Sequence, residues 1–214
     1  MRTHDLIAVL VQNLSPVQAN AVGKRLSRAQ LQGLTAGTVV LVGVFGVSSD
    51  MPEQILTPGF WLRLAFPLAV IAAAVKLVER LVRPGVAVAW AWLMTMLPIV
   101  TMMLGTILFI LTAPPEFRLK LVSSTSLWST TIGNTMLLSL ASFIAMIHAM
   151  KGLAPTRLAL TGAAAGLLAG AQGVLIYALY CPDMPVPYWS ALQIAAMFMT
   201  TAIGAILGPI CIRW

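Results

Sequence analysis

Few side chains in this 214-residue chain could do chemistry, and those few are scattered. The histidines are His4 and His148, and the cysteines are Cys181 and Cys211. The carboxylates are Asp5, Asp50, Glu53, Glu79, Glu116 and Asp183. No HExxH, paired-histidine motif, CxxC or glycine-rich phosphate loop is present, so no metal-assisted, dithiol or phosphoryl-transfer site is spelled out. No serine has a nearby base that would activate it. The chain reads as a non-enzyme with no cofactor and no metal site. Cys181 stands in Tyr180-Cys181-Pro182-Asp183, and two readings are open for it. It is a small hydrophobe at a helix end, or a thiol that senses oxidants or soft metal ions. One cysteine and one aspartate fall short of the four ligands of a closed metal site.

Six apolar runs surround these residues, at about Leu31–Val47, Gly59–Val78, Val86–Thr112, Thr131–Met150, Leu158–Tyr180 and Trp189–Ile212. A bilayer core takes about 17 to 25 apolar residues as helix. The strict alternation of membrane strands is absent. Backbone in lipid must bond to itself, so the runs predict helices. The chain is 59% hydrophobic and 9% charged, with a mean hydropathy of +0.93, against about 25% charged residues in soluble domains. The expected fold is all-α: an integral membrane bundle of six transmembrane helices with a short amphipathic N-terminal cytoplasmic helix.

The net charge of +7 is read through its placement. Arg2, Lys24, Arg25, Arg28, Lys76, Arg80, Arg83, Lys151, Arg157 and Arg213 fall on one side of the expected bundle. Arg63, Arg118 and Lys120 fall on the other. Basic residues stay cytoplasmic, which predicts both termini inside. The basic excess is a topology signal, and no direct nucleic-acid contact is expected. Leu6–Val11 is too short for the apolar core of a signal peptide, so none is expected. Cys181 and Cys211 fall at opposite ends of the last span, about 30 Å apart. A disulfide needs α-carbons within about 7 Å. A Cys181–Cys181 bridge between two chains stays open in an oxidising compartment.

Two regions follow: a cytoplasmic tail, 1–29, and a transmembrane domain, 30–214. In the tail Thr3 can cap a helix, with Asp5 near its positive end. Leu6, Leu10 and Leu14 recur every fourth residue, with Ile7 and Val11 widening the stripe. Ser15-Pro16 ends this helix and can start the next. So short a helix is marginal alone in water. Its stripe lies on the membrane or bundle, or it docks in the groove of a cytoplasmic partner. Against the membrane surface, its polar face has His4, Asp5, Gln12 and Asn13 and no Lys or Arg.

Gly162, Gly166 and Gly170 recur at four-residue spacing in the fifth run, and Gly204 and Gly208 in the sixth. Small residues so spaced let helices approach closely, so these are the expected packing positions. Pro98 predicts a kink or break in the third run. Asn134 and Gln172 are expected to hydrogen-bond between helices. Arg63, Lys76 and Glu79 are near enough to run ends to be solvated. The tryptophans, mostly near run ends, read as interfacial anchors.

Several short motifs recur in a telling order. They are Asp5-Leu6-Ile7, Thr57-Pro58-Gly59-Phe60-Trp61-Leu62-Arg63-Leu64, Arg83-Pro84-Gly85, Ala154-Pro155-Thr156-Arg157, the glycine series, Tyr177-Ala178-Leu179-Tyr180-Cys181-Pro182, Trp189, and Gly208-Pro209 with Arg213-Trp214. In these the chain resembles, over nearly its full length, the NrsF-type family of bacterial inner-membrane anti-sigma factors, negative regulators of extracytoplasmic-function sigma factors. The resemblance implies a six-span protein in the inner membrane whose cytoplasmic N-terminus sequesters a sigma factor, with Asp5, Leu6, Leu10 and Leu14 in the binding segment. It also implies sensing of an envelope, metal or oxidative signal through two outer cysteines. One maps to Cys181. The other aligns with Thr131, so a two-thiol switch within one chain is in doubt. The rival functions are a small transporter or channel subunit, which would show a solvated path, and a structural membrane partner. No carboxylate sits near the centre of any run, which counts against a proton-coupled transporter.

Overall fold

A computed structural model describes residues 21–46, 51–82, 86–114, 125–153, 155, 157–180 and 186–213. Asp5, Leu6, Leu10, Leu14 and Cys181 lie outside the described residues, as does Trp214. Among those described, every regular element is a helix: α1 (Ala21–Val44), α2 (Met51–Gln54), α3 (Pro58–Leu81), α4 (Ala89–Thr112), α5 (Thr125–Lys151), α6 (Leu158–Ala178) and α7 (Val186–Cys211). The expected helical class therefore holds.

Local chemistry sets several boundaries. Thr57 takes an extended backbone ahead of Pro58, and its hydroxyl donates to the Gln54 carbonyl at 2.7 Å. Pro58 opens α3, where its missing N–H is no loss. Pro98 was expected to kink or break its span; α4 is not broken there and continues through it as one helix. The Thr101 hydroxyl donates to the Leu97 and Pro98 carbonyls at 3.0 Å each.

The six long helices alternate in direction. Along α1 and α5, the Arg25 guanidinium covers Gly152, Gly33 faces Ser142, and Gly37 faces the Leu138 carbonyl. Rising numbers on one helix meet falling numbers on the other. The same holds for α6 against α7, where Gly162 faces Gly208 and Gly170 faces Met197. Gly23 near the start of α1 faces Glu79 near the end of α3. The described chain therefore enters at Ala21 and leaves at Cys211 at the same end of the bundle.

α6 is the axis and packs against α7, α5, α3 and α1. Nearly all its side chains are buried, whatever their angular position, because glycine and alanine let neighbours close around it. Val70, Ala74, Leu77 and Val78 of α3 join Ala164, Ala165 and Leu168 of α6, Met146 and Met150 of α5, and Ala196 and Met197 of α7 in one apolar core. A smaller cluster of Leu41, Leu138 and Ile176 closes the other end, where the Phe45 and Tyr180 rings lie 5.3 Å apart. α4 does the opposite of α6. It exposes Leu93, Leu97, Val100, Leu104, Leu108 and Leu111, a surface far larger than soluble proteins leave open.

One expectation is corrected. Five described helices are long and apolar enough to cross a membrane, not six: Pro58–Leu81, Ala89–Thr112, Ser129–Lys151, Leu158–Ala178 and Val186–Cys211. The first apolar run falls on α1, where Gln32, Thr35 and Thr38 interrupt it and Arg25, Arg28 and Gln30 precede it. α1 nevertheless runs beside the second half of α5, from Leu138 to Lys151.

Candidate functional site

The described cations gather at one end of the bundle. Lys24, Arg25 and Arg28 lie in the first turns of α1, Lys76 and Arg80 in the last turns of α3, and Lys151 at the end of α5. Arg157 precedes α6 and Arg213 follows α7. Glu79 accepts a bond from Lys76 at 3.4 Å. Among the described basic residues only Arg63 stands at the opposite end. α1 thus begins at the most cationic end of the described bundle.

The glycines of α6 and α7 meet. A β-carbon on Gly162 would strike the Gly204 carbonyl and come within 2.6 Å of the Gly208 α-carbon. One on Gly166 would strike the Thr200 carbonyl. One on Gly170 would strike the Thr200 hydroxyl, which itself donates to the Ala196 and Met197 carbonyls at 3.1 and 3.0 Å. Helix backbones here are in direct contact, so the α6–α7 pair has little room to slide.

Two readings of single residues change. Arg63 was expected to reach water, yet it is only 2% exposed. Its Nη2 donates to Gln54 Oε1 at 3.1 Å, and its guanidinium lies 5.8 Å from the centre of the Phe60 ring. Arg63 thereby fastens α2 to α3. The signal available in the sequence was a glutamine nine residues ahead of an arginine across the Thr57-Pro58 turn. Gln172 was expected to bond between helices. It is wholly buried in α6, and neither amide atom has a hydrogen-bond partner among the described residues. An interhelical bond does form where none was expected, between the Thr106 and Ser190 hydroxyls of α4 and α7 at 2.7 Å. Trp189 is buried, 4% exposed, in the first turn of α7. Thr131, aligned with an expected cysteine position, is buried near the start of α5.

Cys211 is half-buried at the end of α7. Among the described residues no group of three His, Cys, Asp or Glu side chains is placed to hold a metal ion.

These features define a multi-pass helical membrane protein. A family described as "NrsF: Negative regulator of sigma F" matches residues 10–214, and the chain belongs to that family. It is 32% identical over 214 residues to the "Probable anti-sigma-F factor NrsF" of Azospira oryzae, with both chains covered in full. It is 28% identical over 218 residues to the "Anti-sigma-F factor NrsF" of Caulobacter vibrioides, again covering both in full. No solved structure matches the chain. The family is regulatory rather than catalytic.

Proposed function

We propose that this chain is a membrane-bound anti-sigma factor that holds a sigma factor of the extracytoplasmic-function class against the cytoplasmic face of the inner membrane. The family match along residues 10–214 is the observation that carries this reading. Residues 1–29 supply the binding helix, with Leu6, Leu10 and Leu14 as anchors and Asp5 as an orienting charge. Both termini face the cytoplasm, in keeping with the cation-rich end at which α1 begins and α7 ends.

Release follows from a shift between two bundle packings, biased by an envelope, metal or oxidative signal that interacts differently with the two states. Cys181 is the proposed sensing thiol. Acting alone, it works by modification or with a second chain, not through an intramolecular disulfide.

The deciding experiment is affinity purification of the full-length protein from membranes, with identification of the bound cytoplasmic proteins. A co-purifying sigma factor is expected, lost on removal of residues 2–14. A membrane preparation carrying no sigma factor at any wash stringency would sink the proposal. Topology has its own test. Alkaline phosphatase fused after Asp50, Glu116 or Asp183 is expected to be active, and fused after Arg83 or Lys151 inactive. A membrane-impermeant maleimide should label Cys181 and spare Cys211 in intact spheroplasts. The reverse pattern would invert the orientation and place the tail outside the cell.

A further inference from the structure

One face of α1 changes character along its length. Its first turns, together with the last turns of α5, enclose a cavity of about 440 Å³. Lys24, Arg25 and Arg28 line it from α1, with Gln32 one turn deeper, and His148 lines it from α5. Ala145 and Ala149 form the floor, where their small side chains leave the space open. No carboxylate lines it among the described residues. The Arg25 guanidinium lies directly over Gly152, a position that a β-carbon would take from it. Guanidinium groups arranged in this way suit a phosphate, which they can bond in bidentate fashion.

The same face then becomes apolar. Thr35, Val39 and Val42 follow Arg28 and Gln32 at spacings of three and four, and they line an open groove with Leu34, Thr38 and Gly43. From Arg28 to Val42 the helix rises about 21 Å. Leu31 on α1 and Ile144 on α5, each next in sequence to a lining residue, are 62% and 60% exposed. A cationic cavity followed along the same helix face by a long apolar groove matches an amphiphile with an anionic head and an extended hydrocarbon chain. Free phosphate would use the cavity and leave the groove empty.

We propose that the α1–α5 cleft is a binding site for an anionic phospholipid, its phosphate held by Arg25 and Arg28 and an acyl chain lying along Thr35, Val39 and Val42. Basic pockets between membrane helices bind acidic headgroups in this way. The site needs the bundle to lie in a membrane, but it does not depend on a sigma factor. The bound lipid acts as a wedge that seats the weakly apolar α1 against α5, at the base of the tail.

The test is native mass spectrometry of the full-length protein titrated with phosphatidylglycerol, phosphatidylcholine or inorganic phosphate in a neutral detergent. Wild-type protein is expected to retain one phosphatidylglycerol in preference to phosphatidylcholine. Arg25→Gln combined with Arg28→Gln should weaken that retention about thirtyfold, roughly one kcal/mol for each cation near the headgroup. Lys151→Gln with Arg157→Gln, at the same end but outside the cleft, should leave it unchanged. If the double arginine variant is not monodisperse, Gly152→Ala decides, because it displaces only the end of the Arg25 side chain and should still weaken retention several-fold. Equal retention of the two lipids by wild type, or an equal loss in the Lys151/Arg157 control, would overturn the site. Competition by inorganic phosphate as strong as that by the lipid would reassign it to a soluble anion. Unchanged lipid retention in the arginine variant, with loss of a co-purifying sigma factor, would reassign it to the protein partner.

Discussion

Leu10→Ala is expected to free the sigma factor and raise transcription of its target genes in unstressed cells, while the protein still inserts normally. The stripe Leu6, Leu10, Leu14 is too short to be stable as an isolated helix, so it needs a surface to pack on. Its polar face offers Asp5 and no cation, which disfavours the anionic membrane surface. Family membership points to a sigma factor as the surface. Truncating a leucine buried in a groove costs about 2 kcal/mol or more, which is roughly thirtyfold in affinity. Transcript levels of the sigma-dependent genes, together with the amount of sigma factor co-purifying with the membrane protein, measure the effect. Silence of those genes in Leu6→Ala, Leu10→Ala and a chain lacking residues 2–14 would remove the anti-sigma reading.

Gly166→Leu is expected to lower the melting temperature in detergent sharply. A β-carbon at this position strikes the Thr200 carbonyl oxygen, 2.9 Å from the Thr200 carbonyl carbon and 3.1 Å from the Thr201 α-carbon. Those are backbone atoms of α7, so no rotamer change relieves the collision and the two helices must separate. Overpacking costs about 1 to 3 kcal/mol in ordinary cores, and a clash of backbone with backbone belongs at the upper end. Gly133→Ala provides the comparison. A β-carbon there meets nothing within 4 Å, and alanine favours a helix by up to about 1 kcal/mol over glycine, so its melting temperature should hold or rise. Equal stability of wild type and Gly166→Leu would mean that α6 and α7 do not meet through these atoms.

How far the sequence could be read depended on the physics behind each feature. Helix type was legible because lipid leaves the backbone no other choice over runs such as Val86–Thr112. The number of membrane-crossing helices was less so. Leu31–Val47 has the length of a span, but Gln32, Thr35 and Thr38 dilute it, and the contacts with α5 and α6 explain why α1 lies in the bundle. Four-residue glycine spacing singled out α6, since close approach is a property of the backbone. That Thr200 stands opposite both Gly166 and Gly170 depended on the register of α7, which no local signal carries. Arg63 escaped for the same reason: its solvation was judged from its distance to the run end, whereas Gln54 and Phe60 reach it through the turn at Pro58. The cleft beside α1 was equally hidden, because Arg28 and His148 are far apart in the chain and become neighbours only through helix packing.

A helix that partitions weakly into lipid owes its place to its neighbours. For α1 those neighbours are Ser142 and Leu138 of α5 and Ile176 of α6, all of them synthesised long after α1 has left the ribosome. The first of the described helices to be made therefore waits for its seat until α5 and α6 follow it. Until α5 and α6 are in place, little holds α1 in its position in the bundle. The element that is hardest to settle during assembly is thus the one directly continuous with residues 1–20.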